Sequence, residues 1–140
     1  MILRISDIEF SYGSVKTVDG VSFDAGPGDM VSILGPNGAG KSTLMKCMNA
    51  VIRPSGGTVM VSGTDILASE PKEIAKLVGY VPQTSPVTGS TVFDSVLLGR
   101  KPHMGIDVSE KDIKLTARII DMMGLAHISS KAVNEISGGE

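Results

Sequence analysis

The sequence predicts an α/β fold, and three observations predict it. Apolar and polar residues alternate through the first stretch, a glycine-rich loop stands between an apolar run and a helical one, and helical spacing dominates after Thr91. A length of 140 residues with 41% hydrophobic content fits about one ordinary globular domain.

The β region comes first. Ile2-Leu3-Arg4-Ile5 and Ile8-Glu9-Phe10-Ser11-Tyr12 alternate with the period of a half-buried strand, and Gly13-Ser14 signals a turn. Val18 to Phe23 repeats the alternation with an interruption at Asp19-Gly20, so an antiparallel arrangement is expected. After the turn Gly26-Pro27-Gly28-Asp29, the run Met30-Val31-Ser32-Ile33-Leu34 is nearly all apolar, as in strands buried on both faces. A strand is expected there.

Lys41 to Val51 lacks Gly and Pro and carries Leu44, Met45, Met48 and Val51 at helical spacing. Pro54-Ser55-Gly56-Gly57 ends this unit, and Thr58-Val59-Met60-Val61 reads as a strand. Ser62-Gly63-Thr64-Asp65 turns the chain. Glu70 to Leu77 reads as a helix with Pro71 in its first turn. Val78-Gly79-Tyr80-Val81 is expected to be a further strand, stopped by Pro82.

From Thr91 the pattern becomes helical, with Val92, Phe93, Val96 and Leu97 on one face and an end near Gly99. Ser109 and Asp112 resemble a capping box for a second helix, in which Asp is a weaker partner than Glu. Its apolar face is expected to comprise Ile113, Leu115, Thr116, Ile119, Ile120 and Met123, and Gly124 ends it. Neither an internal repeat nor a low-complexity segment interrupts this order.

Composition narrows the partners. Lys+Arg 13 against Asp+Glu 15 leaves a net charge of −2 with no basic block, so no nucleic-acid partner is expected. No apolar run approaches the roughly 20 residues that span a bilayer, and Met1-Ile2-Leu3-Arg4 does not resemble a signal peptide. A cytoplasmic location is the expectation. Cys47, the single cysteine, has no internal disulfide partner and is expected to pack in the core.

The chemistry concentrates in Gly35-Pro36-Asn37-Gly38-Ala39-Gly40-Lys41-Ser42. This is a phosphate loop: glycines let backbone N–H groups face phosphate oxygens, and the following helix adds its positive N-terminal end. ATP with Mg²⁺ is the expected ligand. Lys41 is expected between the β- and γ-phosphates, the Ser42 hydroxyl on Mg²⁺, and Thr43 on the phosphates.

These residues resemble one family in detail. Gly35 to Thr43 is similar to the Walker A motif of ATP-binding cassette proteins, Val81-Pro82-Gln83 to their Q-loop, and Ile136-Ser137-Gly138-Gly139-Glu140 to their signature motif, usually Leu-Ser-Gly-Gly-Gln. The resemblance covers the whole chain and implies a RecA-like P-loop NTPase core with an antiparallel β subdomain and part of a helical subdomain. Residues 1–85 would then form the nucleotide core and β subdomain, and residues 86–140 the helical part. Tyr12, which by itself reads as a strand residue, matches the family's adenine-stacking aromatic, with Val18 packing nearby. Gln83 matches the residue that touches Mg²⁺ and the attacking water and links the site to a transmembrane partner. Ser137, Gly138, Gly139 and Glu140 would act in trans, reaching the γ-phosphate held by a second subunit's Walker A loop.

A finer similarity lies in Gly99-Arg100-Lys101-Pro102-His103. It resembles a run frequent in importers of iron–siderophore complexes, haem or cobalamin, although periodicity alone supports only an amphipathic helix and a loop. His103 and His127 read as isolated surface histidines, with no cluster of metal ligands around them. The resemblance implies an ATPase subunit at the inner face of the cell membrane, paired with a second ATPase subunit and permease subunits, and indirectly with a substrate-binding protein. Its alternatives are a soluble cassette acting on nucleic acid or ribosomes, and a nucleotide-binding fragment without catalysis.

The family's Walker B Asp, water-activating Glu, D-loop and switch His have no counterpart within these residues. The expectation is that the chain is the first portion of a longer ATPase. Without that carboxylate and second metal anchor, phosphoryl transfer would be slower by several orders of magnitude.

Overall fold

The computed structural model describes residues 2–83 and 89–137. The chain divides into two compact units, Met1–Tyr80 and Val81–Glu140.

In the first unit, β1 (Leu3–Tyr12) pairs antiparallel with both β2 (Val15–Ala25) and β3 (Gly56–Val61), and β4 (Thr64–Asp65) extends the far edge, in the order β2-β1-β3-β4. The expected β1–β2 hairpin forms, with Tyr12 opposite Val15 across the two residues Gly13-Ser14. Ile5 and Ile8 are both buried although three residues apart, which strict alternation would forbid. A bulge at Asp7, whose φ is 49°, restores the face. Ser22 holds that bulge by accepting the Asp7 N–H at 2.8 Å and donating its hydroxyl to Asp7 Oδ1. Gly57 is required across from it. At φ 92°, a Cβ there would stand 2.4 Å from the Asp7 carbonyl oxygen.

The helix α1 (Lys41–Met48) lays Leu44 and Cys47 on this sheet, in one core with Ile5, Ile8, Val18, Val59, Val61 and Ile66. Cys47 is fully buried, as its single occurrence suggested, and burial pushes its thiol pKa up, which keeps it protonated and unreactive. The helix stops three residues short of Val51, where Ala50 turns with φ 51°. Further on, α2 (Pro71–Leu77) starts with Pro71 in its first turn as expected.

Two expected strands do not form. Met30 to Leu34 is outside the sheet, with Met30 95% and Leu34 90% exposed, and only Ile33 touches the core. Val78 to Val81 is likewise not in a strand, and Val81 is exposed. An apolar run becomes a buried strand only when neighbouring strands take up its N–H and C=O groups. Among the described residues the ladders run only within β1 to β4, and neither run pairs with any of them.

In the second unit, α3 (Val92–Leu98) packs on α4 (Glu110–Met122). Thr91 caps α3 by accepting the Asp94 N–H at 3.0 Å, and the strand-like contact of Thr91 with Ala132 draws the chain after α4 back to this cap. The α4 capping box is complete: Ser109 Oγ accepts the Asp112 N–H, and Asp112 Oδ2 accepts the Ser109 N–H. The buried side of α4 is Asp112, Thr116 and Ile120, so Thr116 and Ile120 of the expected face are buried, whereas Ile113, Ile119 and Met123 are exposed and Asp112 joins instead. Asp suits this box because its other oxygen, Oδ1, accepts from Arg100 Nε at 3.1 Å in a half-sequestered ion pair. Arg100 thereby ties the 3₁₀ turn Lys101–His103 to α4, a packing role for the Gly-Arg-x-Pro-His run.

The Ser109 hydroxyl, the Ser109 N–H and Arg100 together hold the Asp112 carboxyl below its usual value, against the cost of burial. A depressed folded-state pKa stabilises the fold fully above the unfolded value, near 3.9, and loses that contribution as pH falls through the folded value. The urea midpoint of the Asp112→Asn variant is therefore expected below that of the parent at pH 7. The gap should close on acidification below about pH 4. A gap unchanged between pH 7 and pH 3 would show that the carboxylate charge is not what Arg100 and Ser109 hold.

Candidate functional site

The loop Gly35–Ala39 is exposed and runs directly into α1. Gly38 and Gly40 both take φ 84°, and Gly40 occupies the N-cap position of α1 without a side-chain cap. The first N–H groups of the helix are thus left without a side-chain acceptor at their cap, where the helix dipole is positive. Lys41 folds back across the loop. Its Nζ donates to the carbonyl oxygens of Gly35 at 2.8 Å and Pro36 at 2.7 Å, so two of three ammonium N–H bonds brace the loop and one remains.

Gly40 also carries the closest approach in the site. A Cβ there would lie 2.4 Å from the Thr17 carbonyl oxygen of β2, so only glycine lets the loop rest on the sheet. Gly40→Ala combines a left-handed backbone, costing about 1–3 kcal/mol in a non-glycine residue, with a backbone collision. A lowered denaturation midpoint and lost nucleotide affinity are expected. A variant with the parent's midpoint and affinity would show that the loop does not need this contact.

Thr17, Val18, Ile33, Ala39, Gly40 and Lys41 line one cavity of about 290 Å³. Val18 is buried at its wall and belongs to the core of the first unit, and Ser42 is exposed at the helix start while Thr43 is buried. Thr17 and Asp19 also border this space and were not singled out from sequence. Nothing in their residue types marks them; only the β2 register does. Tyr12 stands at the tip of the same hairpin, 53% exposed, with its ring edge-to-face on Phe10 at a centroid distance of 4.8 Å and an interplanar angle of 82°. An exposed ring of this kind can stack on a flat base.

This arrangement fits a magnesium nucleotide. The loop turned by Gly38 and Gly40 is exposed, an ammonium is fixed across it, and an exposed hydroxyl stands at the helix N-terminus, the donor set a magnesium triphosphate needs. Gln83 and Ser137 belong to the second unit, and both are exposed. The remaining signature residues Gly138, Gly139 and Glu140 lie outside the described residues. His127 Nδ1 pairs with the Gly124 carbonyl oxygen, and no group of three metal-ligating side chains occurs among the described residues.

Residues 18–140 match the family described as ABC transporter. An uncharacterized ABC transporter ATP-binding protein of Methanocaldococcus jannaschii is 45% identical over the whole chain, which covers 55% of that protein. A hemin import ATP-binding protein of Myxococcus xanthus is 35% identical, again over the whole chain and 53% of the relative. Among solved structures, a transporter described as of metal-chelate type, in an inward-facing conformation, superposes with a TM-score of 0.78 at 28% identity, over 99% of this chain and 50% of that one. The chain spans about half the length of the curated relatives it matches. With the P-loop, the cradle geometry and a match over residues 18–140, the chain belongs to the ABC transporter family.

Proposed function

We propose that this chain is the nucleotide-binding part of an importer's ATPase subunit, which couples ATP hydrolysis to uptake of a metal chelate such as iron–siderophore, haem or cobalamin. The observation that carries the nucleotide site is the Lys41 brace on a loop turned by Gly38 and Gly40. The substrate class is supported by the hemin import relative and by the Gly99-Arg100-Lys101-Pro102-His103 run.

In this reading the N–H groups of residues 35–43 and the Lys41 ammonium bind the triphosphate, and Tyr12 stacks on adenine beside Val18. Ser42 and Gln83 would hold Mg²⁺, which would supply positive charge to the phosphate oxygens. Ser137, Gly138, Gly139 and Glu140 of a second ATPase subunit close the site from the other side. Gln83 relays the nucleotide state to permease subunits in the membrane, to which the subunit attaches at the inner face. A substrate-binding protein delivers the chelate on the outside. No helix among the described residues is long and apolar enough to cross a membrane, which is compatible with permeases as separate chains.

The test is purification of the intact assembly from its native membrane followed by uptake into vesicles. Co-purification of a polytopic membrane protein, with ATP-dependent accumulation of one of the three chelates, is expected. Turnover stimulated by DNA, RNA or ribosomes, with no membrane partner, would overturn the importer reading.

A further inference from the structure

Ile8, Phe10 and Tyr12 stand at alternate positions of β1, so they form one stripe that leaves the core toward the hairpin tip. Exposure rises along it: Ile8 is fully buried, Phe10 is half-buried against the core, and Tyr12 is 53% exposed. Tyr12 faces Val15, which is 65% exposed, and Phe10 faces Val18, which is buried. Among the described residues the ring contact of Tyr12 is with Phe10, which packs against the core. The edge-to-face contact at 82° fixes the plane of the Tyr12 ring relative to a residue that the core itself immobilises.

The geometry points to Phe10 as a positioning residue for base recognition, one that never touches nucleotide but holds the Tyr12 ring at the angle a purine stacks on. This rests on the reading of Tyr12 as the base-stacking aromatic. Stacking gains come from a ring already oriented, because an untethered ring must give up its rotamer freedom at the moment of binding. Phe10 removes that freedom beforehand. Edge-to-face pairs are worth a free energy that corresponds to roughly a two- to tenfold change in affinity.

The experiment compares the affinity of the full chain for MgATP with that for magnesium tripolyphosphate, which carries the phosphates and no base. The ratio of the two reports the base contribution alone. Phe10→Leu keeps apolar volume against the core but removes the ring edge, and should lower the ratio by about two- to tenfold with tripolyphosphate affinity unchanged. Phe10→Tyr retains the ring and should restore the ratio. If Phe10→Leu weakens both ligands equally, or neither, the positioning role is overturned. Tyr12→Ala separates the two readings. A ratio unchanged in Tyr12→Ala would remove the base-stacking assignment itself, whereas a ratio that falls in Tyr12→Ala but not in Phe10→Leu would remove only the role of Phe10.

Discussion

Replacing Lys41 by Ala is expected to lower ATP turnover of the intact protein by at least about a hundredfold, the scale seen when one preorganised charge partner is removed from a transition state. Two losses coincide in this variant. In the proposed site the ammonium would supply the positive charge nearest the phosphates, and it also ties the Gly35 and Pro36 carbonyls at 2.8 and 2.7 Å, so the loop loses its brace. The fold itself should survive, because the α1 residues that hold the core are Leu44 and Cys47. Turnover, nucleotide affinity and thermal midpoint measured together distinguish these effects. A turnover equal to the parent's would refute the phosphate assignment, and a collapsed midpoint would show that the lysine is structural.

The second large effect is expected at Ser137. Ser137→Arg places a long cation at an exposed position of the second unit, so monomer stability and single-site ATP binding should stay near those of the parent. Nucleotide-dependent dimerisation should weaken by more than about tenfold, a change of roughly 1.4 kcal/mol or more, because in the proposed trans arrangement a guanidinium would not fit where a small hydroxyl would meet the partner's γ-phosphate. Sedimentation with and without ATP reads this directly. Loss of ATP binding by the monomer would argue against a site completed in trans.

The phosphate loop was legible from residues alone because its chemistry is local. Gly38, Gly40, Lys41 and Ser42 act through their own backbone angles and short side-chain reach, so their order in the chain is nearly their arrangement in space. The β1–β2 hairpin and the Ser109–Asp112 cap were legible for the same reason, as contacts between near neighbours. The bulge at Asp7 was not. It depends on Gly57, fifty residues away in sequence, and on the Ser22 hydroxyl across the sheet.

The Met30–Leu34 and Val78–Val81 runs show the opposite failure. Apolar composition states that a segment tends to be buried, but a strand exists only as a pair, and composition does not name the partner. Arg100 was read as part of a family-like run and turns out to neutralise Asp112, a pairing set by how α3 and α4 pack. By itself, then, the sequence determined the phosphate cradle, its lysine and the family. Only the tertiary structure decided that Gly40 must rest on Thr17, that Phe10 backs Tyr12, and which apolar runs find a ladder, since each of these is a contact between segments that the chain order leaves apart.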